Sequence, residues 1–177
     1  MCFQETHSNK NIEKYWEDEW GNKCVFSHHD SKSAGVCVMF KKGLDFVIHN
    51  FEIDRNGHYI IFDITIHSQR LTFVCLYGYN TDEPSLFNIT CILQKVLTFS
   101  NTSILLCGDW NVVLDRYMDT YNIIHNRNHY SRKKIDEIIE AFELLDPWRT
   151  CYPDERKYTW RQSSPIKQRR KQSIWYT

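Results

Sequence analysis

Five apolar runs crowd the stretch from Lys23 to Tyr77: KCVFS, GVCVMFK, FVIHNFEI, YIIFDITIH and LTFVCLY. Only short turn clusters such as HHDSKSAG and DRNG separate them. Runs of this length, rich in β-branched and aromatic residues, read as strands, and turns this short imply antiparallel pairing of successive strands. In YIIFDITIH, Ile60, Phe62, Ile64 and Ile66 alternate with Ile61, Asp63, Thr65 and His67, the period-two pattern of a half-buried strand. His49 and His67 read as strand-surface residues.

Helical spacing supplies the layers that would cover such a sheet. Ile12, Tyr15, Trp16 and Trp20 recur with acidic residues between them and Gly21 as a stop, which predicts a short amphipathic helix. Thr81 or Asp82 can cap a second helix with Pro84 in its first turn, continuing through Leu86, Phe87, Ile89, Ile92, Leu93, Val96 and Leu97. A strand, SILLC, then runs into Gly108-Asp109-Trp110-Asn111. The polar stretch from Arg116 to Tyr130 reads as a long surface loop, with Asp115 and Asp119 solvated carboxylates on it. A third helix starts near Ser131, carries Ile135, Ile138, Ile139, Phe142 and Leu145, and ends before Asp146-Pro147. The strand-like KYTWR and a basic tail, residues 161–177, close a chain read as a single α/β domain over 1–177.

Basic and acidic residues balance at 22 each, but unevenly along the chain. The 22 residues after Glu155 hold seven basic side chains and no acid, leaving residues 1–155 at a formal −7. A basic end invites polyanions. The seven cysteines form no C-x-x-C pair, which speaks against a zinc site or a disulfide framework. Cys37, Cys75 and Cys107 lie inside apolar runs and read as buried, reduced core. No apolar run approaches the roughly 18 residues of a membrane helix, and Met1 to Lys10 do not resemble a secretory signal. We therefore expect an intracellular protein with no membrane and no small-molecule cofactor.

Three polar clusters lie at the edges of apolar strands: Gln4 to His7, Tyr77 to Asn80, and Asp109 with Asn111. Alternation along an extended segment points Asp109 and Asn111 to one side. Hard cations such as Mg²⁺ take carboxylate oxygens and keep several waters, so Glu5 near Asp109 makes a minimal one-metal site for a phosphate ester.

QETH at Gln4 to His7, Y-x-x-N at Tyr77 to Asn80, GDWN at Gly108 to Asn111, LLDPWR at Leu144 to Arg149 and YTW at Tyr158 to Trp160 occur in this order. Together they resemble the endonuclease/exonuclease/phosphatase superfamily, and within it the apurinic-type endonuclease domain of non-long-terminal-repeat retrotransposons. The resemblance implies a four-layer sandwich of two mixed β-sheets flanked by helices. It also implies phosphodiester hydrolysis with Mg²⁺ (or Mn²⁺), DNA as partner, and a nuclear site of action. By the same resemblance Glu5 matches the metal-binding glutamate and Tyr77 a tyrosine near the scissile phosphate. Asp109 matches the aspartate that orients or deprotonates the attacking water, and Asn111 the asparagine that positions it. His7, Thr159 and Arg161 are the expected substrate contacts, while the ring of Trp160 reads as core.

The pattern also departs from the family. Its first strand and its closing Ser-Asp-His have no counterpart here, so the fold is expected to be incomplete at both termini. Where a retroelement sequence would read Q-S-R-I-D-Y, this chain has Gln172, Ser173, Ile174, Trp175 and Tyr176. Groups that act as a unit in a transition state cost orders of magnitude when lost, so the expected activity is impaired or absent. The alternative is a DNA-binding or functionless retroelement fragment.

Overall fold

The computed structural model describes residues 1–30, 32–99, 101, 103–123 and 128–177, the side chains of residues 83–88 apart. In chain order the elements are β1 (Cys2–Gln4), α1 (Glu13–Trp20), β2 (Cys24–Ser27), β3 (Val36–Met39), β4 (Phe46–Ile53), β5 (Tyr59–Ile66) and β6 (Gln69–Tyr77). There follow α2 (Asp82–Phe99), β7 (Ile104–Asp109), β8 (Thr120–Tyr121), α3 (His129–Ala141), α4 (Pro147–Cys151), β9 (Trp160–Gln162), β10 (Lys167–Arg169) and β11 (Gln172–Tyr176).

The largest sheet has the order β11-β7-β6-β5-β4. Its neighbours are antiparallel except β6 and β7, which run parallel because α2 carries the chain back between them. A second, antiparallel sheet, β1-β3-β2, packs over it. Val36, Val38 and Phe40 of the small sheet meet Ile60, Phe62, Ile64 and Cys75 of the large one. Outside the small sheet, Trp16 and Trp20 of α1 cover Cys24, Phe26, Cys37 and Met39. On the far side of the large sheet, α2 and α3 bring Ile89, Ile92, Val96, Ile135 and Ile138 onto Ile61, Val74 and Leu106. The layers are therefore helix, sheet, sheet, helix, as the family resemblance implies. Among the described residues no helix is long and apolar enough to cross a membrane.

Several expectations change once tertiary packing is visible. Strand β5 is buried on both faces, because α2 covers the side that alternation assigned to solvent. Asp63 on that side is buried, with Arg70 Nε and Nη2 donating to its carboxylate at 2.9 and 2.6 Å and Asn101 at 3.0 Å. Asp82, the first residue of α2, accepts hydrogen bonds from the start of another helix. Its carboxylate accepts from Tyr130 N–H at 3.1 Å and from Ser131 N–H and Oγ at 2.9 and 2.8 Å, at the start of α3. That helix begins at His129, and Asn128, its left-handed N-cap, makes no side-chain capping bond. The side chains of Pro84, Leu86 and Phe87, and residues 124–127 of the expected loop, lie outside the described residues. Elsewhere in that loop, Thr120 and Tyr121 pair with β10. The basic run from Arg161 to Thr177 is threaded into sheets, with β11 at the edge of the large one. Trp175 is buried and packs on Trp110, ring centroids 4.5 Å apart.

Candidate active site

Two glycines set the site's geometry. Tyr77, the last residue of β6, is in register with Asp109, the last of β7. A Cβ at Gly108 would lie 2.0 Å from the Leu76 carbonyl oxygen, and one at Gly78 would lie 2.2 Å from that of Trp110. Only glycine permits these approaches, which let Gly78 N–H donate to the Asp109 carbonyl at 2.6 Å. Asp109 and Asn111 do face one another, but the extended alternation is not the reason. The strand stops at Asp109, and Asn111 is left-handed at φ 53°, a region Asn tolerates. Its N–H then donates to Asp109 Oδ1 at 2.9 Å, and its Nδ2 to the Gly78 carbonyl at 2.6 Å. Both side chains are buried.

From the other sheet, Glu5 follows β1 with a left-handed backbone, φ 53°. For glutamate this conformation carries strain, of the kind that clusters at functional positions. The Tyr77 hydroxyl donates to Glu5 Oε1. Burial raises the Tyr77 hydroxyl above its ordinary value, and the hydrogen bond to Glu5 and that group's charge add to the shift. His58 fixes the tyrosine backbone: its Nδ1–H donates to the Tyr77 carbonyl at 2.6 Å while Tyr77 N–H donates to the His58 carbonyl at 2.7 Å. The imidazole also stacks on Tyr79, centroids 3.6 Å apart. Burial pushes the His58 pKa down, favouring the neutral ring.

Lys171 is a site residue that sequence reasoning missed, having assigned it to the basic tail. Its Nζ donates to Asn111 Oδ1 and stands 3.2 Å from Asp109 Oδ2, with the side chain 14% exposed. Thr159 holds that turn of chain, its Oγ1 accepting from Lys171 N–H at 3.0 Å and Gln172 N–H at 3.3 Å. Trp110 N–H also donates to the Lys171 carbonyl. The structure thus pairs Glu5 with Tyr77 and, one residue along the chain at Gly78, joins Asp109, Asn111 and, through Lys171, Thr159 in a second hydrogen-bonded set. His7 lies exposed on a left-handed backbone two residues beyond Glu5, and Arg161 lies exposed on β9. The signal for Lys171 was available only as a basic residue opening a strand, which charge alone does not single out.

No family model matches the chain. Solved structures resemble it over nearly its whole length. A 3′ phosphatase, NExo, from Neisseria, solved with a product DNA hairpin, matches at TM-score 0.74 and 15% identity, over 99% of this chain and 75% of its own. An AP endonuclease from Archaeoglobus fulgidus matches at TM-score 0.67 and 20% identity, with the same coverage. The chain has the endonuclease/exonuclease/phosphatase fold. Among curated proteins, the Transposon TX1 uncharacterized 149 kDa protein of Xenopus laevis is 23% identical over 159 residues, 89% of this chain. That match accords with the retrotransposon resemblance, and the chain spans 12% of the length of this relative.

Within this endonuclease/exonuclease/phosphatase fold a second charged group lies beside the first. Asp119 is buried rather than solvated. Arg149 Nη2 donates to its Oδ1 at 2.6 Å, and Arg170 Nη1 stands 3.8 Å from the same atom. Arg170 Nη2 also donates to Asp146 Oδ2 at 2.6 Å, and its N–H to the Asp119 carbonyl at 2.9 Å. Burial pushes the Asp119 carboxyl up in pKa, against the pull of the two guanidinium groups. These contacts tie the basic run to the loop after β7, leaving Lys171 aimed at Asp109.

Among the described site residues, Glu5 is the exposed carboxylate. Mg²⁺ is commonly held by one or two carboxylates together with phosphate and several waters. Glu5 fits that minimum, whereas the Asp109 and Asn111 oxygens already face the Lys171 ammonium.

Proposed function

We propose that the chain is a DNA-endonuclease-type hydrolase domain of a retroelement, cleaving phosphodiesters with Mg²⁺ or Mn²⁺, and that its turnover is slow. The observation that carries this reading is the joint held by Asp109 and Asn111 at the end of β7, hydrogen-bonded to the Gly78 backbone next to Tyr77, whose hydroxyl meets Glu5. Glu5 would hold the metal, which when bound neutralises charge developing on a phosphate oxygen. Asp109 accepts a proton from the attacking water and orients it, while Asn111 fixes the water's position. The Tyr77 hydroxyl, protonated at neutral pH, would turn its one proton from Glu5 towards the phosphate. His7, Thr159 and Arg161 line the approach of the DNA. DNA as substrate is favoured by the neighbour solved with a DNA hairpin and by the excess of basic residues after Glu155. A retroelement nuclease of this kind would work in the nucleus.

Slow turnover follows from two features. Lys171 competes with water for Asp109 and Asn111. Trp175, buried in the core, stands where the retroelement pattern carries an aspartate. The same lysine favours a second reading, DNA binding without cleavage. Plasmid nicking in Mg²⁺ at low salt separates them. We expect slow nicking by wild type and a loss of about 10²–10³-fold in Asp109→Asn, the range for removing one preorganised polar group from a transition state. Equal nicking by Asp109→Asn would overturn the hydrolytic assignment. Binding that weakens steeply with salt, without any nicking, would favour the second reading.

A further inference from the structure

Three thiols that lie far apart in sequence converge, two of them on the wall of a cavity. Cys2 on β1, Cys75 on β6 and Cys107 on β7 place their sulfur atoms within 4.8 Å of one another, and Cys107 Sγ donates to Cys2 Sγ at 3.3 Å. All seven cysteines are free. Cys75 and Cys107 are buried, while Cys2 is partly exposed. An open cavity of about 880 Å³ reaches Cys2 and Cys107 between β1 and β11 and is also lined by Gln4, Lys157 and Arg170. Periodicity made each of these cysteines a core residue in its own strand and gave no hint that the strands stack them together.

We infer that Cys2, Cys75 and Cys107 form a binding site for one thiophilic d¹⁰ cation of the Zn²⁺ class, with a fourth position open to the cavity. Tetrahedral zinc at about 2.3 Å from each sulfur requires ligand sulfurs about 3.8 Å apart, within the spread seen here, so modest side-chain rotation suffices. Sulfur is the donor that such ions prefer over Mg²⁺, which separates this site chemically from the oxygen donors around Glu5. Gln4 Nε2 donates to Cys75 Sγ at 3.5 Å, the outer contact that orients a ligand. Three thiolates around a divalent ion leave a net negative charge, and Lys157 is among the residues that line the cavity. The cavity supplies the entry path, and water or Gln4 Oε1 completes the coordination.

The test uses the full chain, reduced and freed of metal, titrated with Zn²⁺ against a chromophoric chelator and, separately, with Co²⁺. One equivalent of Zn²⁺ should bind, and Co²⁺ should give the near-ultraviolet charge-transfer absorption of thiolate ligation. Cys2→Ser, at a partly exposed strand position where the fold should tolerate it, should weaken binding by more than the about 10–100-fold that loss of an outer-shell partner costs. Cys151→Ser, at an exposed cysteine outside the cluster, should leave binding unchanged. Circular dichroism of Cys2→Ser confirms that the comparison is between folded chains. Sub-stoichiometric uptake by wild type, Co²⁺ binding without thiolate absorption, or undiminished binding by Cys2→Ser would each overturn the site.

Discussion

Two charged groups sit side by side beyond the end of β7 and differ in one respect. Around Asp119, Arg149 and Arg170 close on a buried carboxylate, and Asp146 takes up the remaining arm of Arg170. Around Asp109, one flexible ammonium faces a carboxylate and an amide, and Glu5 beyond them is exposed. The planar guanidinium fork fixes a geometry, whereas the lysine head is a point charge on a mobile stem. The first arrangement locks a loop in place. The second can exchange its cation for water, metal or phosphate, which is the property a reacting site needs.

Breaking the closed group should produce the largest effect. Arg170→Ala removes the guanidinium that Asp146 meets at 2.6 Å and leaves Asp119 with Arg149 alone, and removing one member of a buried pair costs about 3–5 kcal/mol. Urea unfolding of the variant should show this as a lower midpoint, and a loss below about 1 kcal/mol, the scale of exposed pairs, would mean that the group is effectively solvated. Asp109→Asn gives the opposite profile. Nicking should fall by about 10²–10³-fold with the urea midpoint nearly unchanged, because the amide keeps an oxygen for Asn111 N–H.

What the sequence made legible follows from this division. The strands and helices were readable because periodicity records which faces are apolar, and Ile60, Phe62 and Ile64 do face the second sheet, whereas the four-layer order came from the family resemblance. Glu5, Tyr77, Asp109 and Asn111 were singled out through motif order, and the structure pairs Tyr77 with Glu5 and Asn111 with Asp109. Lys171, Asp119 and Asp82 were not, for a shared reason. Each is defined by a partner 30 to 60 residues away, and neither composition nor period specifies which distant charge a side chain will meet. The convergence of Cys2, Cys75 and Cys107 is invisible for the same reason, since strand order decides it.

A carboxylate buried on the far face of the sheet tests whether closure alone distinguishes the two groups. Asp63 meets Arg70 in a paired geometry like that of Asp119 but at a more open position, Arg70 being 57% exposed. Hydrogen bonds from Arg70, with a smaller contribution from Asn101, hold its pKa down at about 2 against the opposing effect of burial. A carboxyl whose folded pKa is depressed stabilises the fold above its unfolded value and loses that contribution as pH falls. The loss should therefore run from about pH 4 down to about 2. With screening at the exposed arginine, Asp63→Asn should cost about 1–2 kcal/mol at pH 7 and nearly nothing at the acid end of that window. Unfolding curves at the two pH values measure the difference, and a pH-independent cost would assign the effect to packing.

The smallest predicted effect concerns the helix start that Asp82 supplies from outside. Burial acts to raise the Asp82 pKa, but hydrogen bonds from Ser131 and Tyr130 outweigh it and leave the carboxyl below its ordinary value. The charge therefore sits at the positive end of α3, where an acceptor satisfies N–H groups that have no partner within the helix. Asp82→Ala should cost about 1 kcal/mol, the usual scale of a lost N-cap. Asp82→Asn, which keeps an oxygen but not the charge, should recover most of that loss. Both variants should nick DNA like wild type, since α3 packs on the face of the large sheet opposite the second sheet. A nicking defect in either would show that the start of α3 is coupled to the Asn111 turn, which Asn128, its neighbour in sequence to His129, touches through a 3.1 Å hydrogen bond to the Asn111 carbonyl.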